Sequence, residues 1–298
     1  MNLHQAKRSR AKIRISLQGP SGSGKTFSAL QLAFGLTGDW KKIAVIDTEN
    51  QSADLYSEMG SYYVLSMKEP YSPERYAEAI LLCEASGIEC VIIDSISHEW
   101  NGKGGCLQLH EQATAAMRVP NSFQAWATIT PRHQAFIDSI LQCNCHVIST
   151  IRAKSDYIMT ERNGKQIPTK IGLAPVTRDG FDFEMTVALD IDAEHFAFTS
   201  KDRTGLFSGN PKFQITSGTG RSILDWCNTG ENIEETIKAL INKCITMDEL
   251  NDLYRKHPEC TKKLYVDFAS KKQSIMGVTQ FLTHSANIGG KGHGIAIS

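Results

Sequence analysis

The sequence predicts an α/β fold, with a mainly parallel, twisted sheet flanked by helices and a small helical segment toward the C-terminus. Three observations carry this. Short apolar runs alternate with helix-period segments from residue 11 to about 151, the pattern of a parallel sheet. A glycine-rich turn joins the first run to the first helical segment. Beyond Gly230 only helical spacing remains.

The elements follow in order. From Ala11, Ile13, Ile15 and Leu17 alternate with Lys12, Arg14 and Ser16, which predicts a strand. After the turn at 19–26, Leu30, Ala33 and Phe34 share one helical face, and Gly38 ends that helix. Ile43–Asp47 is a short strand, and Tyr62–Leu65 is a further apolar stretch. Ser72 caps a helix whose first position is Pro73 and whose face carries Tyr76, Ile80, Leu81 and Cys83. Val91–Asp94 is a buried strand; helices over 103–118 and 123–142 precede a strand at 146–151. Cys143, Cys145 and His146 fall at that strand with the wrong spacing for a zinc site. Residues 152–180 are polar, with an Asn163-Gly164 hairpin signal. Residues 184–190 and 194–199 alternate like an antiparallel pair. Ile233, Ile237, Leu240, Ile241 and Cys244 keep helical spacing; Thr246 and Glu249 form a capping box for a helix that Pro258 stops; Thr261 starts a third. The expected domains are 1–228, a core with a basic arm (Lys7, Arg8, Arg10, Lys12, Arg14); 229–284, helical; and 285–298, a glycine-rich flexible tail.

Composition bounds the function. With 41% hydrophobic and 21% charged residues, the 298-residue chain can bury a core. Lys and Arg total 32 and so do Asp and Glu, which excludes a globally basic DNA-coating protein; any nucleic-acid site is a local patch. Eight cysteines without a CxxC pair read as reduced thiols of the cytoplasm. No apolar run approaches the ~18 residues of a membrane span.

The chemistry lies in the turn Gly19, Pro20, Ser21, Gly22, Ser23, Gly24, Lys25, Thr26. This is the phosphate-binding pattern, with a strand before and a helix after. Glycines let the backbone wrap phosphate oxygens, and the helix start turns free N–H groups and its positive end to the anion. Lys25 reaches the β- and γ-phosphates of ATP, and Thr26 offers its hydroxyl to Mg²⁺. Asp94, ending an apolar strand, supplies the metal-side carboxylate, on a strand expected beside that of the P-loop. Hydrolysis also needs a base. In many AAA-type motors a Glu directly follows the metal Asp; here Ser95 does. Glu49, just past the strand ending at Asp47, is the expected base, with Glu99 a weaker competitor.

The order Lys25, Ile46-Asp47-Thr48-Glu49, Ser52-Ala53-Asp54, Ile93-Asp94-Ser95, and Val147 to Arg152 resembles the RecA-type recombinase core. It is most similar to the phage-encoded, core-only branch, ATPases that anneal or pair single strands, over roughly residues 11–228. Asp94-Ser95-Ile96-Ser97-His98 and Ser200-Lys201-Asp202-Arg203 also look like that branch. The resemblance implies a RecA-like fold, Glu49 as base and Thr150 as the γ-phosphate sensor, where Gln is usual. It implies that Lys201 and Arg203, on one side of a strand, reach a neighbouring subunit's nucleotide. It also implies a homo-oligomer, ring or filament, on single-stranded DNA, with a single-strand-binding protein as a further partner, in the cytoplasm (the host's for a phage-encoded chain). Between residues 150 and 180 stand six bases and three acids, a net +3. Arg152, Lys154, Arg162, Lys165 and Lys170, with Tyr157 as a stacking platform, are therefore the expected DNA contacts. Two rival readings stay open: another P-loop motor or helicase loader, and a slow nucleotide switch in replication.

Overall fold

The computed structural model describes residues 10–162, 165–230, 232–261 and 263–288. The first arm residues, the Asn163-Gly164 turn and the tail from 289 lie outside the described residues. Ala11–Asn228 form one compact unit, and the chain from Thr229 belongs to a second.

In the first unit the elements run β1 Arg14–Gly19, α1 Lys25–Thr37, β2 Ile43–Asp47, β3 Tyr63–Ser66, α2 Pro73–Ala85, β4 Cys90–Asp94, α3 Ser97–Asn101, α4 Cys106–Ala115, α5 Ser122–Gln142, β5 His146–Arg162, β6 Lys165–Pro175, α6 Phe181–Glu184, β7 Val187–Ile191, β8 Ala197–Asp202 and α7 Ser217–Asn228. The sheet order is β3-β2-β4-β5-β1-β7-β8, with β6 paired to β5 off this path. All pairs from β3 to β7 are parallel; β8 and β6 are antiparallel to their partners. The chain is thus mixed α/β, a mostly parallel sheet with helices against it.

Parallel strands covered on both faces read as unbroken apolar runs. β2 (IAVID) and β4 (CVIID) are buried at every residue. On one face Leu30, Leu32, Ala33 and Leu36 of α1 pack with Ile223 and Cys227 of α7 over Ile15, Leu17 and Ile148. Gly35 and Gly220 permit the close crossing of those helices: a Cβ on Gly35 would lie 2.1 Å from the Ser217 carbonyl, and one on Gly220 2.3 Å from that of Leu32. On the other face Tyr76, Ile80 and Cys83 of α2 meet Phe136, Ile137 and Ile140 of α5 over Ile46, Val91 and Ile93.

Three expectations are corrected. β5 lies between β1 and β4, so the Asp94 strand is not the P-loop strand's neighbour. Strand alternation put Arg14 on a solvent face, but β1 is central and Arg14 is buried, donating to the carbonyls of Cys145 (2.8 Å), Cys143 (2.5 Å) and Leu141 (3.0 Å). It adds nothing to a basic arm. Ser72 stands at the N-cap of α2, yet its side chain makes no cap hydrogen bond; Pro73 holds the first turn. As expected of a buried strand, Cys143, Cys145 and His146 are buried, with His146 Nδ1 accepting from the Ile13 N–H at 3.1 Å.

In the second unit, α8 Ile233–Lys243, α9 Met247–Lys256, α10 Pro258–Thr261 and α11 Tyr265–Ile288 gather Ile237, Ile241, Leu250, Leu264 and Phe268 into a small core. Thr246 and Glu249 form a capping box. Thr261 ends α10, its hydroxyl donating to the Pro258 carbonyl at 2.8 Å, rather than capping a helix. α11 runs past the expected end at 284. Among the described residues no helix is long and apolar enough to cross a membrane.

Candidate active site

The loop between β1 and α1 is shaped by glycine. Gly22 and Gly24 take φ of 80° and 84°, the left-handed region. A Cβ on Gly19 would lie 2.5 Å from the Ile191 carbonyl and 2.6 Å from Ser23 Oγ. Ser23 is fully buried, and its Oγ has no hydrogen-bond partner. An unsatisfied hydroxyl, a glycine cradle and the free N–H groups at the start of α1 are the donor set that a phosphate chain needs. Lys25 Nζ folds over the loop, donating to the carbonyls of Gly19 (3.0 Å) and Pro20 (2.8 Å). Burial lowers the pKa of its ammonium, opposed by the charges of Asp94 and Glu49.

Asp94 ends β4 and is joined to Ser95 by a cis peptide. Its carboxylate accepts from Thr26 Oγ1 at 2.6 Å and from Thr150 Oγ1 at 2.5 Å. The intervening strand β5 thus supplies the second hydroxyl. Burial pushes the Asp94 carboxyl up, and the two hydroxyls hold it down. A threonine hydroxyl against a carboxylate is the oxygen pair a hard dication takes.

Asp47, at the end of β2 in register with Asp94, is structural. Its carboxylate accepts from the N–H groups of Glu49 (2.6 Å) and Ala53 (3.0 Å) and shapes the loop that carries Glu49. Glu49 Oε1 accepts from Ser95 Oγ at 2.8 Å. Arg152 closes on the same carboxylate with both arms, Nε to Oε1 at 2.7 Å and Nη2 to Oε2. Burial alone would raise the Glu49 carboxyl; hydrogen bonds from Arg152 and Ser95, with Arg152's charge, bring it below the usual range.

These groups share an open cleft of about 990 Å³, lined by Gly24, Lys25, Thr26, Glu49, Asp94 and Arg152 among others. The structure therefore brings together the P-loop, Thr26, Asp94 and Glu49, with Thr150 against Asp94. It does not bring in Lys201 or Arg203. Lys201 pairs with Ala188, level with Ser16, and Arg203 N–H reaches the Thr186 carbonyl. Both side chains bind carbonyls of α6: Lys201 Nζ that of Asp182 (2.9 Å) and that of Phe183, Arg203 Nη2 that of Phe183 (3.0 Å). Arg152, expected on DNA, is paired with Glu49. Lys154 is exposed at the base of the β5–β6 hairpin. The side chains of Tyr157, Arg162, Lys165 and Lys170 lie outside the described residues. Glu99, the competing base, is not in the cleft; it is buried against His133 and Cys106.

Sequence reading missed His195. It sits at φ 69° with its ring over Gly24 and lines the cleft with Tyr56, Phe27, Gln214 and Thr216. Nothing local marks a histidine about 170 residues from the loop it covers.

The profile of the AAA domain family matches residues 11–214, well over half of the chain. The chain belongs to that family. Comparison with curated proteins finds no match. Membership makes this AAA chain a P-loop ATPase-type protein, of a family that binds nucleotide, typically with Mg²⁺. Unlike in the motors considered above, Ser95 follows Asp94, and the second carboxylate of the cleft, Glu49, comes from the loop after the neighbouring strand β2.

Proposed function

We propose that this AAA chain is a Mg²⁺-dependent, RecA-like ATPase that acts on single-stranded DNA in annealing or strand pairing. The observation that carries the proposal is the convergence of Glu49 from β2, Asp94 from β4 and Thr150 from β5 on Lys25 and Thr26. Each carboxylate comes from a parallel strand's C-terminal end, where such sheets hold ligands.

The chain's residues divide the work. The loop N–H groups, Ser23 and Lys25 hold the phosphates. Thr26 and Asp94 would hold Mg²⁺, which would neutralise charge on the transferring phosphoryl group. Thr150 fixes the Asp94 carboxylate. Glu49 orients water and takes its proton, once Arg152 leaves its oxygens. Arg152 is also the residue from which β5 runs out into the hairpin with β6. A strand bound along the cations of that hairpin thus has a covalent path to the base.

Steady-state ATP turnover with and without single-stranded DNA tests the reading, with Glu49→Gln as the reference variant. Loss of one general base costs ~10²–10⁴-fold. The expected result is retained ATP binding, turnover reduced by that factor, and DNA-stimulated wild-type turnover. Wild-type turnover indifferent to DNA, or Glu49→Gln with full activity, would turn the reading toward another P-loop class.

A further inference from the structure

A second cluster of chemically potent side chains lies outside the nucleotide cleft. Glu99 of α3, Cys106 at the start of α4 and His133 of α5 are 1%, 0% and 5% exposed. Glu99 Oε1 lies 3.0 Å from Cys106 Sγ and 3.0 Å from His133 Nδ1, and Oε2 lies 3.2 Å from the same nitrogen. One donor atom from each residue falls within 4.8 Å of the other two. None of the three lines the cleft.

We propose that Glu99, Cys106 and His133 form a structural site for a zinc-class divalent cation. The donor set selects the ion: a thiolate and an imidazole suit zinc, whereas Mg²⁺ and Ca²⁺ take oxygen ligands. Zinc bonds of ~2.0–2.3 Å place tetrahedral donors roughly 3.3–3.8 Å apart. The observed contacts of 3.0 Å therefore need to open by only a few tenths of an ångström. The three side chains supply three of the four tetrahedral positions, and a water would take the fourth.

Charge favours the ion as well. A carboxylate in the interior calls for a neutralising partner. A dication with one thiolate, one carboxylate and a neutral imidazole has no net charge. Aromatic rings flank the cluster: Trp100 packs edge-on to His133 (5.9 Å between ring centres) and stacks on Trp126 (5.5 Å). Among the described residues no other cysteine joins this cluster. A bound ion would tie α3, α4 and α5 together. α3 directly follows Asp94-Ser95-Ile96, and its Ser97 Oγ accepts from the Arg152 N–H at 2.9 Å. The site would thus brace the backbone behind the base, whatever reaction the cleft performs.

The test uses the full, untagged, reduced chain, stripped with chelator and free of nucleotide. Zinc alone is titrated while bound metal and melting temperature are measured. Cobalt is then substituted and the thiolate-to-metal absorption recorded. The expected result is one zinc per chain, a rise in melting temperature and the cobalt–thiolate band. Cys106→Ser should abolish that band and weaken zinc binding at least tenfold. If Cys106→Ser does not fold, Glu99→Gln, which keeps shape and volume, should show the same tenfold loss. A stripped wild-type chain that takes up no zinc would overturn the site. So would stoichiometric zinc whose affinity neither variant changes. The cluster would then be a hydrogen-bonded core triad.

Discussion

Arg152→Gln separates two uses of the residue that joins the hairpin to Glu49, the proposed base. In the wild type both guanidinium arms close on Glu49, whose side chain is 19% exposed while Arg152's is 48% exposed. A half-exposed ion pair is worth about 0.5–1 kcal/mol after solvent screening. Opening it therefore restricts the free base by about two- to fivefold. Without Arg152, basal turnover in the absence of DNA should rise by about that factor. The pH profile gives an independent reading. Arg152 and Ser95 hold the Glu49 carboxyl below its usual range against the pull of burial. Removing Arg152 lets burial push it up, so the acid limb of kcat/KM moves to higher pH. Stability follows the same sign. A depressed carboxyl contributes fully above its unfolded value and loses that contribution as pH falls through the lowered folded value. The stability gap between wild type and variant should therefore close on acidification through the acid range. The assay is steady-state ATP turnover against pH, with denaturant melts of both chains in parallel. A basal rate that falls tenfold or more, with the acid limb unmoved, would refute the reasoning; Arg152 would then serve the phosphates, not restrain the base.

Three further outcomes follow. Lys25→Ala should abolish ATP hydrolysis and strongly weaken nucleotide binding; undiminished turnover of the purified variant would remove the phosphate site. Single-strand binding should weaken steeply with salt, with a log–log slope of about −0.7 per phosphate neutralised. Replacing Lys154, Lys165 and Lys170 together should flatten it while basal turnover stays, and an unchanged slope, read from binding titrations at several salt concentrations, would make the hairpin an ordinary solvated one. Lys201→Ala/Arg203→Ala should keep nucleotide binding and lose the rise of specific activity with protein concentration, and mixing it with Glu49→Gln should restore some turnover. Concentration-independent wild-type activity with inactive mixtures would leave these cations only their contacts to the Asp182 and Phe183 carbonyls.

Elements were legible where one local force decides them. Ile43–Asp47 and Cys90–Asp94 are strands because continuous apolar runs suit a doubly covered parallel sheet. Gly38 ends α1 because the helix exit needs a left-handed residue, at φ 68°. Strand order was not legible. Nothing in residues 146–151 states that this strand inserts between β1 and β4, since the pairing is settled by helices packing from both faces. Arg14 was misread for the same reason: alternation speaks of one covered face, and a central strand has two. Thr261 has the right residue type for a cap, but the short helix 258–261 takes its hydroxyl first.

The site divides along the same line. Gly19 to Thr26 is contiguous, so its chemistry is written in one stretch of sequence. Asp94 and Glu49 could be placed because a carboxylate just past an apolar strand has one destination, the sheet edge where the P-loop also sits. What joins distant segments left no local trace. Thr150 meets Asp94 across 56 residues, Arg152 meets Glu49 across 103, and His195 covers Gly24 from an antiparallel turn. Charge counting assigned Arg152 to the DNA-facing set because it opens a basic stretch. The fold shows why position outweighs charge there: β5 runs beside β4, so its residue just past Thr150 emerges opposite the loop leaving β2. A guanidinium at that point finds a half-buried carboxylate within reach, and the bidentate pair is stronger than a contact with solvent. The cations beyond it, from Lys154 outward, lie on a hairpin that leaves the sheet. The basic stretch thus opens with one residue bound to the Glu49 carboxylate, followed by Lys154, exposed at the base of the hairpin.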